Sequence, residues 1–208
     1  MSRFRLVAIA LLVALCAGFY SCGGGNDETP LNNDDNSNIS NENGNSVIVG
    51  TTAMVQLKKV GALSTLISDN VKFNITDLRI MGDINGDDIA LIREMAGADV
   101  KGNETNGKLA NLNLSNANLV NGGIYYTGIT QEVSSSNELW QYMFYKCGSL
   151  TSIVLPNNIA HIGAFALSYS GITSFTIPNN IQTIGNEAFA NCIYNHRTTK
   201  TNQKYPSV

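Results

Sequence analysis

Apolar positions in the second half of the chain fall in a fixed rhythm. Leu150-x-x-Ile153-x-Leu155-Pro156 recurs as Ile172-x-x-Phe175-x-Ile177-Pro178, and the Pro-Asn-Asn-Ile-x-x-Ile-Gly run from Pro156 returns from Pro178, a shift of 22 residues. A partial third copy sets Met143-Phe144-x-x-Cys147 against Ala166-Leu167-x-x-Ser170 and Ala188-Phe189-x-x-Cys192, the first spacing being 23. Each unit puts its apolar residues on one face of a short strand, and stacked units bury faces that a single unit cannot. The prolines stop ladder pairing and the Asn pairs make the turn. The pattern predicts Leu150, Ile153 and Leu155 lying against Ile172, Phe175 and Ile177 of the next coil, with Phe175 pointing inward.

The same reading extends upstream. Leu109-x-x-Leu112-x-Leu114-x-x-Ala117-x-Leu119 is a nearly complete unit, expected to stack beside a strand built on Ile75-x-x-Leu78-x-Ile80. Leu63, Leu66 and Ile67 fit one helical face, with Asp69-Asn70 as its stop, and Asn85-Gly86 reads as a turn. Asp87 is placed to cap a helix carrying Ile89, Ile92 and Met95. The expected fold is a mixed α/β solenoid, with leucine-rich repeats of about 22–23 residues stacked on an amino-terminal module with one or two helices. Residues 47–138 form that repeat-like module, with 121–138 as an insertion loop, and 139–192 the repeats. The basic, polar tail 193–208 departs from the frame, as a frayed end or an array cut short.

The amino terminus sets the expected address. Arg3 and Arg5 precede an uncharged run from Leu6 to Tyr20, a secretory signal peptide over 1–21. Phe19-Tyr20-Ser21-Cys22 resembles a bacterial lipobox, which makes Cys22 the lipid-bearing residue. Residues 22–46 are Asn-rich, with five acids and no base after Cys22, and read as a flexible acylated tether. These acids resemble the surface-export signal of Bacteroidetes lipoproteins. The repeats resemble the BspA-type leucine-rich repeats of Bacteroidetes surface proteins, and segments 61–70, 75–97 and 107–123 resemble the module preceding them. The resemblance implies a surface-exposed outer-membrane lipoprotein that adheres to host, matrix or bacterial surface proteins.

Composition narrows the chemistry. Of 208 residues 43% are hydrophobic, enough for a core, while 14% are charged and the net charge is −3, which argues against a nucleic-acid footprint. Two histidines and four cysteines leave few candidates for metal or Cys/His sites. Asp83, Asn85, Asp87 and Glu94 sit at positions 1, 3, 5 and 12 of a calcium-loop spacing, but Asp88 stands where that loop needs glycine. The expectation is a capped helix without metal. Cys147 and Cys192, two coils apart, should lie about 10 Å from each other, beyond disulfide reach; they read as buried free thiols. No catalytic constellation and no cofactor are expected. The binding face is drawn through the outward positions Thr151, Ser152, Val154, Thr173, Ser174 and Thr176 and through Ala160, His161, Gln182 and Thr183. It would meet a protein or glycan at a cell surface, with the membrane engaged only through the lipid. The alternatives are a periplasm-facing scaffold, a truncated repeat protein, and a carbohydrate hydrolase using Asp77, Asp83 or Glu94.

Overall fold

The L-x-x-L-x-L segments become neighbouring parallel strands in the computed structural model, which describes residues 36–127, 137–173 and 175–192. A meander of β1 (Asn36–Asn41), β2 (Gly44–Val49) and β3 (Thr52–Leu57) opens the fold. From β3 the sheet turns parallel through β4 (Asp77–Ile84), β5 (Asn111–Leu119) and β7 (Ser152–Val154). The register puts Ala53 opposite Leu78, Leu78 opposite Leu112 and Leu112 opposite Ile153, so buried residues align across four strands. A second parallel sheet joins β6 (Glu138–Leu139), β8 (His161–Ile162) and β9 (Thr183–Ile184). The predicted stacking of the 109–119 unit beside the 75–80 strand is present.

The hairpin of β1 and β2 corrects the tether expected over 22–46, whose last residues are strand. Asn36–Asn41 has almost no apolar content, but an edge strand needs only backbone partners, and β1 pairs antiparallel with β2 along its length. Gly44 begins β2 at φ 145, and a Cβ there would meet Gln56 O at 2.1 Å, so only glycine fits. Residues 22–35 of the tether, Cys22 and the tail 193–208 lie outside the described residues.

The helical part differs in detail. Leu63, Leu66 and Ile67 are buried as expected, yet they belong to a 3-10 turn, Leu63–Thr65, and its exit. Asp69 starts the short helix α1 (Asp69–Lys72) instead of stopping one. Helix α2 (Gly86–Met95) buries Ile89, Ile92 and Met95 as predicted. Its cap is Asn85, not Asp87. The Asn85 side chain accepts from the N–H groups of Asp87 (3.0 Å) and Asp88 (3.3 Å), while Asp88 accepts from Asn85 N–H (3.1 Å), a reciprocal capping box. Asp88 also accepts from Gly61 N–H (2.8 Å) and Leu63 N–H (2.9 Å), tying α2 to the 3-10 turn. Burial raises the Asp88 pKa, with these backbone donors pulling the other way. Among the described residues no helix is long and apolar enough to cross a membrane.

Three coils then follow one hydrogen-bonding rule along their turns. In the first, Tyr142, Phe144 and Lys146 donate N–H to the carbonyls of Ala164, Ala166 and Ser168. In the second, Phe165, Leu167 and Tyr169 donate to Asn186, Ala188 and Ala190. Each coil therefore offers N–H groups forward and carbonyls backward. The repeated glycines have a steric cause here: a Cβ on Gly163 would lie 2.6 Å from Gln141 N, and one on Gly185 2.4 Å from Ala164 N.

This rule leaves the first coil's backward carbonyls, at Gln141, Met143 and Tyr145, needing donors from whatever precedes it. The preceding element is α2, whose own N–H groups are mostly consumed inside the helix. Side chains supply the donors instead. Tyr125 Oη donates to Gln141 O at 2.8 Å, and Arg93 Nη1 donates to Met143 O at 3.0 Å and Tyr142 O at 3.1 Å. Tyr145 O meets the Cys147 thiol at 3.9 Å. Arg93 is fully buried, and its Nη2 donates to Asp99 O at 3.0 Å.

The third coil is less well covered. Phe175, expected to point into a full core, is only partly buried and rests against Phe189 with ring centroids 5.1 Å apart. Ile177 is 40% exposed. The inward apolar pattern needs a coil on both sides, and among the described residues none covers the third.

Candidate functional site

The ten residues of the expected binding face do not share one surface. Ser152 and Val154 point outward from β7, in the six-stranded sheet, and Val154 is 48% exposed. Thr173 and Thr176 are exposed in the coil that follows, and Ser174 lies outside the described residues. Thr151 is partly consumed, donating its hydroxyl to Ala110 O at 3.1 Å. His161 and Thr183 pair across the three-stranded sheet with Nδ1 and Oγ1 2.7 Å apart, beside half-buried Ala160 and exposed Gln182. The structure thus divides the predicted platform into two ladders, one on each sheet. The reason is the turn between the strands: Pro156 to Ile159 carries the chain from one sheet to the other, with Ile159 N–H bonded to Pro156 O. Both ladders consist of small, polar, mostly uncharged side chains.

The carboxylates singled out for calcium or hydrolysis are engaged separately. Asp83 accepts from Asn118 Nδ2 at 3.0 Å, Asn85 and Asp88 form the helix cap, and Asp87 accepts from Ile124 N–H at 3.1 Å. Glu94 pairs with Lys72 at 3.1 Å. Asp77 accepts from Asn111 Nδ2 at 2.8 Å and from Thr76 Oγ1 at 2.7 Å. Among the described residues no group of three or more His, Cys, Asp or Glu side chains could hold a metal ion. Cys147 and Cys192 are free thiols, and Cys147 is buried, which pushes its pKa up to about 11. Cys192 is only partly buried, for it lies in the third coil.

A feature absent from the sequence expectations gathers on the turn side. Tyr142 and Phe165 occupy equivalent positions with left-handed backbones, φ 58 and 55, and the shared conformation stacks their rings 4.9 Å apart at 3°. Tyr126 continues the stack 5.4 Å from Tyr142, under the Arg93 guanidinium at 5.0 Å. Tyr145 meets Tyr126, Tyr142 and Tyr169 edge-on. The buried phenol of Tyr125 lies against Trp140, and desolvation raises its pKa far above the ordinary tyrosine value. The signal was in the sequence: the repeat shift aligns Tyr142 with Phe165 and Lys146 with Tyr169, all four with positive φ.

Beside Tyr169 the loop 97–105 and the first coil's turn enclose a groove of about 440 Å³. Its lining includes Glu104, Thr105, Lys146, Gly148, Ser149 and Tyr169. Asp99 holds the loop by accepting from the N–H groups of Lys101 and Asn103, each at 2.8 Å, and from Asn103 Nδ2 at 2.9 Å. Burial works against its charge, but these bonds outweigh it and its pKa is lowered.

No curated protein matches the chain. A crystal structure of a leucine rich cell surface protein from Faecalibacterium prausnitzii A2-165 shares 13% identity, with a TM-score of 0.29, over 79% of this chain. The chain spans about half of that protein's length, 53%. Residues 124–204 match the model of the BspA type Leucine rich repeat region, in 6 copies. The chain carries a leucine-rich-repeat-type domain, rich in sheet and poor in helix, whose repeats are similar to that family.

Proposed function

We propose that this is a surface-displayed binding protein of the bacterial envelope, a leucine-rich-repeat solenoid that acts by contact and not by catalysis. Its partners are proteins on host cells, matrix or other bacteria. The lipobox-like segment supports acylation at Cys22 and attachment to the outer membrane of a Bacteroidetes-type cell. The observation that carries the reading is the coil-to-coil register. It turns the outward positions beside Ile153 and Ile162 into ladders of mostly polar groups, with Val154 exposed on the last strand of the six-stranded sheet and Thr176 exposed in the coil that follows. Such ladders present several shallow, desolvatable positions at fixed spacing, which suits a broad protein contact.

The test is binding of the purified protein to immobilised matrix proteins and to whole bacterial cells, with Val154→Arg and Thr176→Arg as variants. The reading expects saturable binding to at least one surface, weakened tenfold or more by an introduced charge. Absence of binding to all of them, or binding indifferent to both variants, would overturn it. Cys22→Ala should release the protein from membranes; retention there would remove the anchor from the account.

A further inference from the structure

We propose that the groove between loop 97–105 and the first coil's turn is a saccharide-binding subsite, distinct from the two strand ladders. Its volume, about 440 Å³, suits a small ligand. Tyr169, which lines it, is 51% exposed, and its aromatic neighbour among the described residues, Tyr145, stands at 80° to it, so among those residues no ring lies parallel over its face. An aromatic face carries negative charge density and attracts the polarised C–H groups of a pyranose ring.

The polar lining selects among small ligands. Glu104 and Lys146 both line the groove, yet neither takes part in an ion pair among the described residues, those present being the pairs of Lys72 with Asp69 and Glu94. A charged ligand would gain from one of these groups and lose to the other. A neutral polyol uses both, donating hydroxyls to the carboxylate and accepting from the ammonium. Ser149 spends its proton on Gly107 O (2.7 Å), which leaves its oxygen as an acceptor for a sugar hydroxyl; Thr105 Oγ1 donates to Glu94 O (2.6 Å) and accepts from Gly107 N–H (3.4 Å), which leaves it one lone pair. The walls are set before binding: Glu104 bridges Ala98, and Thr105 N–H bonds Gly97 O at 3.1 Å. Gly148 lines the groove, and a Cβ there would meet nothing within 4 Å, so a larger side chain has room at that position.

The experiment is saturation-transfer NMR on the purified protein with glucose, galactose, mannose and N-acetylglucosamine, alone and as disaccharides, and with glycylglycine as a zwitterionic control. Two variants accompany it: Tyr169→Ala removes the platform, and Gly148→Leu fills the groove from a position with room for its side chain. Binding of at least one saccharide, weakened tenfold or more by Tyr169→Ala and abolished by Gly148→Leu with melting unchanged, is the expected result. Val154→Arg should leave that binding intact, which separates this subsite from the ladders. No saccharide binding, glycylglycine binding in its place, or saccharide binding that survives both variants would overturn the proposal.

Discussion

Replacing Arg93 by methionine tests the capping of the first coil. The substitution keeps most of the volume and removes the guanidinium, which takes the donor from Met143 O and the second donor from Tyr142 O and Asp99 O, since these two keep the N–H groups of Tyr145 (3.1 Å) and Gly102 (3.0 Å). A buried acceptor left unsatisfied, here Met143 O, costs about 1–3 kcal/mol, and each of the two hydrogen bonds lost elsewhere about 0.5–1.5 kcal/mol, roughly 2–6 kcal/mol together. Two effects reduce the sum. The desolvation of the buried cation is relieved, and water reaches part of the freed space. A net loss of about 1–3 kcal/mol remains, equivalent to about 2–12 °C in melting temperature for a domain of this size. The assay is urea unfolding followed by fluorescence of buried Trp140 and by circular dichroism. The midpoint should fall with the slope unchanged. A midpoint equal to the parent's would mean that the carbonyls find other donors, and the capping argument would fail.

Three further outcomes follow from the same packing. Tyr125→Phe removes the hydrogen bond to Gln141 O and should cost about 0.5–2 kcal/mol at neutral pH. Because burial raises the Tyr125 pKa, the folded state keeps its proton where the unfolded chain releases it; this contribution is full below pH 10.0, the ordinary tyrosine value, and is lost as pH rises towards the folded pKa. Alkaline unfolding titrations should therefore fall more steeply above that point in the parent than in Tyr125→Phe, and parallel curves would contradict the assignment. Gly185→Ala forces a Cβ against Ala164 N and should cost about 1–3 kcal/mol, whereas Gly148→Ala, with open space, should melt within about 0.5 kcal/mol of the parent; equal melting of the two would sink the steric reading of the repeated glycine. Phe175→Ala should cost about 1–3 kcal/mol by thermal melting, since its ring is only partly buried, against Phe189, and a loss above about 4 kcal/mol would show a fuller core than described.

The repeat was legible in the sequence because its period is written in side chains that only one arrangement can bury. Leu112, Ile153 and Ile172 are core for the reason the pattern gives, and the Pro-Asn-Asn turns recur as expected. What escaped was decided by partners outside the local window. β1 forms on backbone pairing with only Ile39 packed against the core, so its polar composition misleads. Asn85 and Asp87 are both acceptable caps, and the choice rests on Asp88 reaching back to the 61–63 segment. Arg93 looks like a surface residue of an amphipathic helix until the unpaired carbonyls of the first coil are counted. The aromatic cluster follows from left-handed turn residues, which no hydrophobic period reveals. The residues drawn as one binding face fall on two sheets because the sequence repeats along one axis while the chain turns between the sheets at Pro156 to Ile159.

The central claim, a repeat domain displayed outward to meet protein partners, is tested most directly by protease shaving of intact cells followed by immunoblotting for this protein. Loss of the signal while a periplasmic control survives is the predicted result. Full protection on intact cells, with digestion only after lysis, would turn the repeats inward and contradict the account.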